Sequence, residues 1–331
     1  MNRKLIIQLC IALCFCSCHA QTGLNSTSLK LITSISLPDV NGRIDHLAFD
    51  ATHQVVFVSA LGNNTVEAVD LKNKKVIHPI KNLHEPQGVV FIPESNSIFV
   101  ANGDNGECDA FNANTFQKTN TIKLAGDADN VRYDATTKKI YVGYGNGGIA
   151  VIDATGFKLL DEIKLDGHPE SFQIDKAANK IYVNVPDEKQ IEIIDLEKSF
   201  VIGKWKMTEA TSNFPMALDN VNYRLFIGCR HPEKLLAIDT QTGKTISILN
   251  IDGDTDDIFY SGANREIYVS CGSGYVDVFK QSNANRYVAD GKISTRSGAR
   301  TSLFIPELNQ LIVAAPSHLG KEAVLFVYSI E

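Results

Sequence analysis

The chain has 331 residues, 44% of them apolar and 21% charged, with 23 Gly and 10 Pro. These are the proportions of a folded, turn-rich domain, and they exclude collagen-like, coiled-coil and disordered chains. Lysine and arginine total 32 against 38 acids, a net charge of −6. That sign is wrong for broad contact with phosphates, so no nucleic-acid partner is expected.

The first segment reads as an export signal. Asn2, Arg3 and Lys4 form a short positive region, and Leu5 to Phe15 is an apolar run broken only by Gln8, too short to cross a bilayer as a helix. Cleavage after Ala20, with Cys18 at the −3 position, satisfies the small-x-small rule and exposes Gln21. The rival is a loose lipobox, Phe15-Cys16-Ser17-Cys18, which would place a lipid anchor on Cys18 although Phe stands where Leu is usual. Either route predicts an extracytoplasmic protein, periplasmic or secreted, with residues 21–331 as one domain. Removing residues 1–20 leaves 30 basic against 38 acidic residues, a net charge of −8. No later stretch is apolar for 18 residues, so no transmembrane segment is predicted. Of the seven cysteines, Cys10, Cys14, Cys16 and Cys18 lie in the leader, leaving Cys108, Cys229 and Cys271. An odd number at wide spacing is not a disulfide framework. Cys229 and Cys271, at the same repeat position in adjacent blades, are expected as buried thiols, the alternatives being a bridge between them and a lowered-pKa thiol at Cys229 beside Arg230.

From Gln21 onward one pattern recurs seven times: an apolar strand, a short turn, then a hydrophobic triplet opening a second strand. The triplets begin at Val56, Ile98, Ile140, Ile181, Leu225, Ile267 and Leu311, at successive offsets of 42, 42, 41, 44, 42 and 44. The segments are β-branched and aromatic, and none keeps a 3.6-residue period. A period of this length carrying four strands predicts an all-β, seven-bladed β-propeller of four-stranded blades. In blade 1 the predicted strands, from the innermost outward, are A at His46–Phe49, B at Val55–Ala60, C at Thr65–Asp70 and D at Lys75–Ile80. The last unit supplies only A (Ser302–Ile305), B (Leu311–Ala315) and C (Ala323–Tyr328). Its missing strand is matched by Leu29–Ile35, so the N-terminal strand is expected to complete blade 7 and close the ring, covering an otherwise open edge.

At Ile181-Tyr182-Val183-Asn184, followed by Ile191-Glu192-Ile193-Ile194-Asp195, the chain resembles the YVTN family of exported β-propeller repeats. Tyr141-Val142-Gly143 with Ile149 to Asp153, and Phe57-Val58-Ser59 with Val66 to Asp70, carry the same likeness. It is similar, more distantly, to lactonase and streptogramin-lyase propellers. The YVTN motif specifies strands and not chemistry, so it implies no catalytic residue.

Aligning the units on their triplets places one tetrad per blade at the start of strand A, where side chains converge on the central channel. The tetrads are Arg43–His46, Glu85–Gly88, Asp127–Asn130, His168–Ser171, Ser212–Pro215, Asp254–Asp257 and Gly298–Thr301. Six of the seven carry an ionisable side chain. The B-to-C loops lie on the same face, so Asn102, Asp104, Asn184, Cys229, Arg230 and Cys271 are expected to rim the same mouth. The expected function is binding of a small molecule, ion or partner protein there. Arg43, Asp45, Glu85, Gln87, Asn130, His168, Asn213, Arg230, Asp257 and Arg300 are the expected ligand contacts.

Asp127 and Asp129 occupy the same repeat positions as Asp254 and Asp256. With Glu170 they make an oxygen-rich set of the kind calcium or magnesium takes, Asp129, Glu170 and Asp256 being the expected metal ligands. The alternative is Asx turns, with Arg43, Arg300 and His168 neutralising the rest. His46 and His168 each share a tetrad with a carboxylate, and His46 is the better candidate acid or base. The likeness to lactonase propellers implies an alternative function, a metal-dependent hydrolase or lyase in which the cation polarises a carbonyl and His46 transfers a proton.

Three tempting signals carry no chemistry. Gly143 to Gly148 matches G-x-G-x-x-G, but a strand follows it where a dinucleotide site needs a helix. Asp252, Asp254 and Asp256 mimic the start of an EF-hand loop, yet Asp257 stands where the glycine belongs. Asp70, Asp153, Asp195 and Asp239 recur at the ends of strands C, where they are expected to cap turns.

Overall fold

The structure, a computed structural model, describes residues 27–331. The leader, the cleavage site after Ala20 and Cys18 lie outside the described residues. No helix among the described residues is long and apolar enough to cross a membrane.

The repeat becomes seven four-stranded antiparallel sheets, each ordered A-B-C-D from the channel outward. In blade 1 the strands are Leu47–Asp50, Val55–Ala60, Thr65–Asp70 and Lys75–Ile80, within one residue of the sequence reading. Every triplet falls in a strand B, and these residues are almost wholly excluded from solvent. Val56, Ile98, Ile140, Ile181, Leu225, Ile267 and Leu311 are all buried. Alternate residues of strands B and C face opposite neighbouring blades, so the core is a series of slabs between blades. One slab joins Val56, Val58 and Val69 of blade 1 to Ile305, Ile312 and Leu325 of blade 7.

Blade 7 is completed as expected. Leu29–Leu37 runs antiparallel to the final strand, Ala323–Ile330, with Leu29 opposite Ile330 and Leu37 opposite Ala323. Its order in that sheet is outermost, so the N-terminal strand is strand D.

The minor expectations resolve on the same geometry. Asp70 accepts the Asn73 amide at 2.8 Å and Asp153 the Gly156 amide at 2.7 Å, the turn caps foreseen for the strand C ends. The glycine-rich run is the turn between strands Lys139–Tyr144 and Gly148–Asp153. Trp205 packs on Tyr182, ring centroids 5.5 Å apart.

Cys108, Cys229 and Cys271 are all free and buried. Burial first, and then Glu209, push the Cys229 thiol up to about 12. The alternative of an activated thiol therefore fails: Arg230 turns away to Asp256 and lies over the Phe214 ring, 3.9 Å from its centroid. A thiol reagent should find three cysteines in unreduced, denatured protein cleaved after Ala20, and almost none in the folded protein. A count of one after denaturation would reveal a disulfide.

Candidate functional site

The mouth is built by a backbone device repeated around the ring. The first tetrad residue is left-handed in blades 2, 3, 5 and 6, with φ of 52° at Glu85, 32° at Asp127, 55° at Ser212 and 63° at Asp254. In each of these blades strand A then carries an irregularity in its pairing with strand B, between Pro86 and Val89, Ala128 and Val131, Asn213 and Met216, and Thr255 and Asp257. A bulge re-aims the residues it contains, here Gln87, Asp129, Asn130, Phe214 and Asp256. Four of these, Gln87 excepted, line one small pocket, joined by Arg43, Asp45, His46, Glu170 and Ser171. Gly272 makes room for the turn, because a Cβ there would stand 2.1 Å from Asp254 Oδ2.

Most of the expected carboxylates are paired with cations. Arg43 reaches Asp45 at 2.7 Å and Asp256 at 3.6 Å. Arg230 donates to Asp256 at 2.7 Å and to the Thr255 carbonyl at 2.9 Å, and Arg300 donates to Asp254 at 2.9 Å. Gln87 donates to Asp127 at 3.0 Å. His46 lies between Asp45 and Asp257, 3.6 Å from each. Burial works against its charge, but Asp257 and then Asp45 outweigh it and hold His46 up at about 10. A raised pKa favours the charged imidazolium, and with it an acid role over a base role.

A different group stays open. Asp129, His168 and Glu170 each present one ligand atom, all within 4.8 Å of one another. His168 Nδ1 lies 2.6 Å from the Gly145 carbonyl, which assigns its proton to Nδ1 and turns Nε2 toward Asp129, 4.0 Å away. A carbonyl that orients an imidazole in this way is the usual support of a metal-binding histidine. Beside them Asn130 is buried, and its Oδ1 has no hydrogen-bond partner. Asp256, expected as a third metal ligand, is instead held by Arg230 and Arg43, and the third ligand atom near those of Asp129 and Glu170 belongs to His168. The donor chemistry shifts accordingly. Calcium and magnesium take all-oxygen sets, whereas two carboxylates with one imidazole suit zinc or manganese.

Other expected residues sit apart. Glu85 is exposed and its amide, not its carboxylate, is bonded, to Asn64 at 2.8 Å. Asn213 is buried, donating to Asn184 at 2.9 Å and the Gln190 carbonyl at 3.1 Å, a tie between blades 4 and 5. Asn102, Asn184, Cys229 and Cys271 do not rim the mouth. All four are fully buried, Asn184, Cys229 and Cys271 between blades and Asn102 bonded to the Glu107 carbonyl of its own blade, leaving Arg230 and the exposed Asp104 as the rim residues of that set. Arg132, below the tetrads, is the residue that sequence reasoning missed.

Asp256 offers a test of the pairing. Its ion pair with Arg230 favours the carboxylate, but burial and then Asp45 outweigh that and raise its pKa to about 6. A carboxyl raised on folding destabilises the native state above that pH and not below the unfolded value. Asp256→Asn should therefore melt at the same temperature as the parent near pH 4, and level or up to roughly 4 °C higher at pH 8. A fall of several degrees at pH 8 would show that the pair with Arg230 dominates.

No protein-family model matches the chain, and no curated protein sequence does. Among solved structures it is similar to a chain of hydrazine synthase from Kuenenia stuttgartiensis, at 14% identity and a TM-score of 0.77 over 88% of this chain and 97% of that one. It is similar also to a chain of a mitotic checkpoint complex, at 14% identity and a TM-score of 0.75 over 99% of both chains. Neighbours so different in role share with this protein its architecture alone, the seven-bladed β-propeller.

Proposed function

We propose that this protein is an exported propeller of the YVTN type that binds one divalent transition cation at the mouth of its channel, through Asp129, His168 and Glu170. The size of the mouth pocket carries the reading. The room among Arg43, Asp45, Asp129, Asn130, Glu170 and Asp256 is about 10 Å³, enough for one water-sized occupant and too little for an organic molecule. Asp129 and Glu170 line that space, His168 offers a third ligand atom within 4.8 Å of theirs, and the unpartnered Asn130 Oδ1 supplies a further acceptor beside them. Export rests on Arg3, Lys4 and the apolar run to Phe15, and the family on Ile181-Tyr182-Val183-Asn184 and its counterparts in the other blades.

Zinc or manganese at about 100 times its dissociation constant should stabilise the folded state by ~2.7 kcal/mol. For a domain of this length that corresponds to roughly 4 °C in melting temperature, with a smaller shift from calcium or magnesium. Melting the metal-stripped protein with each ion checks this, and equal, negligible shifts from all four would remove the proposal.

A further inference from the structure

Beneath the charged mouth the channel opens into a cavity of about 510 Å³, within the range of small-molecule sites. Its wall contains a ring of equivalent positions, one per blade, each paired with the middle residue of a triplet in strand B. Ala48 faces Phe57, Val90 faces Phe99, Arg132 faces Tyr141, Gln173 faces Tyr182, Ala217 faces Phe226, Phe259 faces Tyr268 and Leu303 faces Ile312. Five of the seven are apolar, one is an amide that donates to the Met216 carbonyl at 2.8 Å, and one is a guanidinium.

Arg132 has five N–H donors. Two hydrogen bonds engage it, to the Val131 carbonyl at 2.8 Å and Ser171 Oγ at 3.1 Å, both neutral. Its guanidinium lies 5.3 Å from the centroid of Phe172, and among the described residues no carboxylate stands within ion-pair distance of it. Desolvation lowers its pKa despite the more distant Asp257 and Asp129. Every other arginine of the mouth, Arg43, Arg230 and Arg300, has an acid of its own. The remaining ionised groups of the cavity wall are His46 and Asp257, which offset one another. One positive charge is thus left over in a chamber otherwise walled by Phe49, Phe91, Tyr133, Phe259 and Tyr260.

We infer that this chamber is a second binding site, for a small monocarboxylate with an aromatic or aliphatic body. The carboxylate would pair with Arg132 and the body would lie among the aromatic rings. The guanidinium fork matches a carboxylate in two parallel hydrogen bonds, and the ring faces bury the apolar remainder. The mouth pocket is too tight to pass such a molecule, so it enters from the opposite end of the channel.

Calorimetric titration of the full protein with phenylacetate, and with the neutral phenylacetamide, tests this. Saturable phenylacetate binding is expected, with the amide at least tenfold weaker. Arg132→Gln should lose phenylacetate affinity at least tenfold while melting, without ligand, at the parent temperature or above. Val90→Trp, which fills the ring and keeps Arg132, should abolish binding of both compounds. Glu170→Gln, at the mouth, should leave both affinities unchanged, so failure here and failure of the cation site are separately visible. No saturable phenylacetate binding, equal affinity for acid and amide, or an Arg132→Gln variant that melts lower and still binds would overturn the inference and make Arg132 a structural anchor.

Discussion

Deleting residues 28–37 should lower the melting temperature by more than about 10 °C or prevent folding, whereas trimming only residues 21–27 should change it little. The strand from Leu29 to Leu37 is paired along its length with Ala323–Ile330, so its loss uncovers a full row of backbone donors and acceptors on the last strand. It also removes three buried side chains, Leu29, Ile35 and Leu37. Ile35 and Leu37 belong to the slab that joins blades 7 and 1, with Val56, Val58 and Leu325. At about 1.5–3 kcal/mol for each large side chain, the loss is roughly 5–9 kcal/mol, comparable with the whole stability of an ordinary domain. Ser28 adds a link to blade 6 through Glu266, at 2.7 Å. The double variant Leu31→Thr, Ile32→Thr serves as a control, because both side chains are about half exposed, 51% and 50%. It should melt within about 3 °C of the parent. A truncated protein that melts as high as this control would show that the ring does not depend on its N-terminal strand.

The fold was legible because each blade repeats one physical demand. A strand B squeezed between two neighbouring blades must be apolar at every residue, and that demand writes a triplet such as Ile140-Tyr141-Val142 at nearly constant spacing. The tetrads were legible for the same reason, since a fixed offset from the triplet fixes position around the channel. The pairing within the mouth was not. Whether Asp256 answers a cation or a metal depends on Arg43, 213 positions earlier in the chain, and on a guanidinium turning from Cys229 toward Phe214, neither of which leaves a local signal. The bulges were invisible too, although left-handed residues such as Asp127 and Asp254 are of the kind that tolerate that conformation. Arg132 did leave a trace. It is the one cation among residues equivalent to Ala48, Val90, Ala217 and Leu303, and comparing the units column by column past the tetrads finds it.

Cation affinity at the mouth should rise steeply with pH, and Glu170→Gln should blunt that rise. Burial, and after it Asp129 and Asp256, push the Glu170 carboxyl up to about 8. His168 is held at about 9: burial lowers it, but Asp129, the Gly145 carbonyl, Glu170 and Asp127 together outweigh burial. At pH 6 to 7 the cation-free site therefore carries a proton on each, and a bound ion must displace both, since only the carboxylate and the neutral imidazole are ligands. Affinity should climb on the order of 10³-fold or more between pH 6 and pH 8, flatten above about 9, and release close to two protons per ion at pH 6.5. Raising the pH without an ion has the opposite effect on stability, because a carboxyl whose pKa is raised by folding destabilises the native state progressively from its unfolded value up to about 8, where it ionises. Glu170→Gln resembles the protonated carboxyl in shape and charge, so without an ion it should melt with the parent near pH 4 and up to roughly 4 °C above it at pH 6.5. It should bind zinc or manganese roughly 10–100-fold more weakly at pH 8 and release only one proton. Calorimetry in buffers of different ionisation enthalpy, over pH 6 to 9, measures affinity and proton release together. A flat affinity profile, or a Glu170→Gln variant that binds as the parent does, would return Asp129, His168 and Glu170 to a hydrogen-bonded group of purely structural purpose.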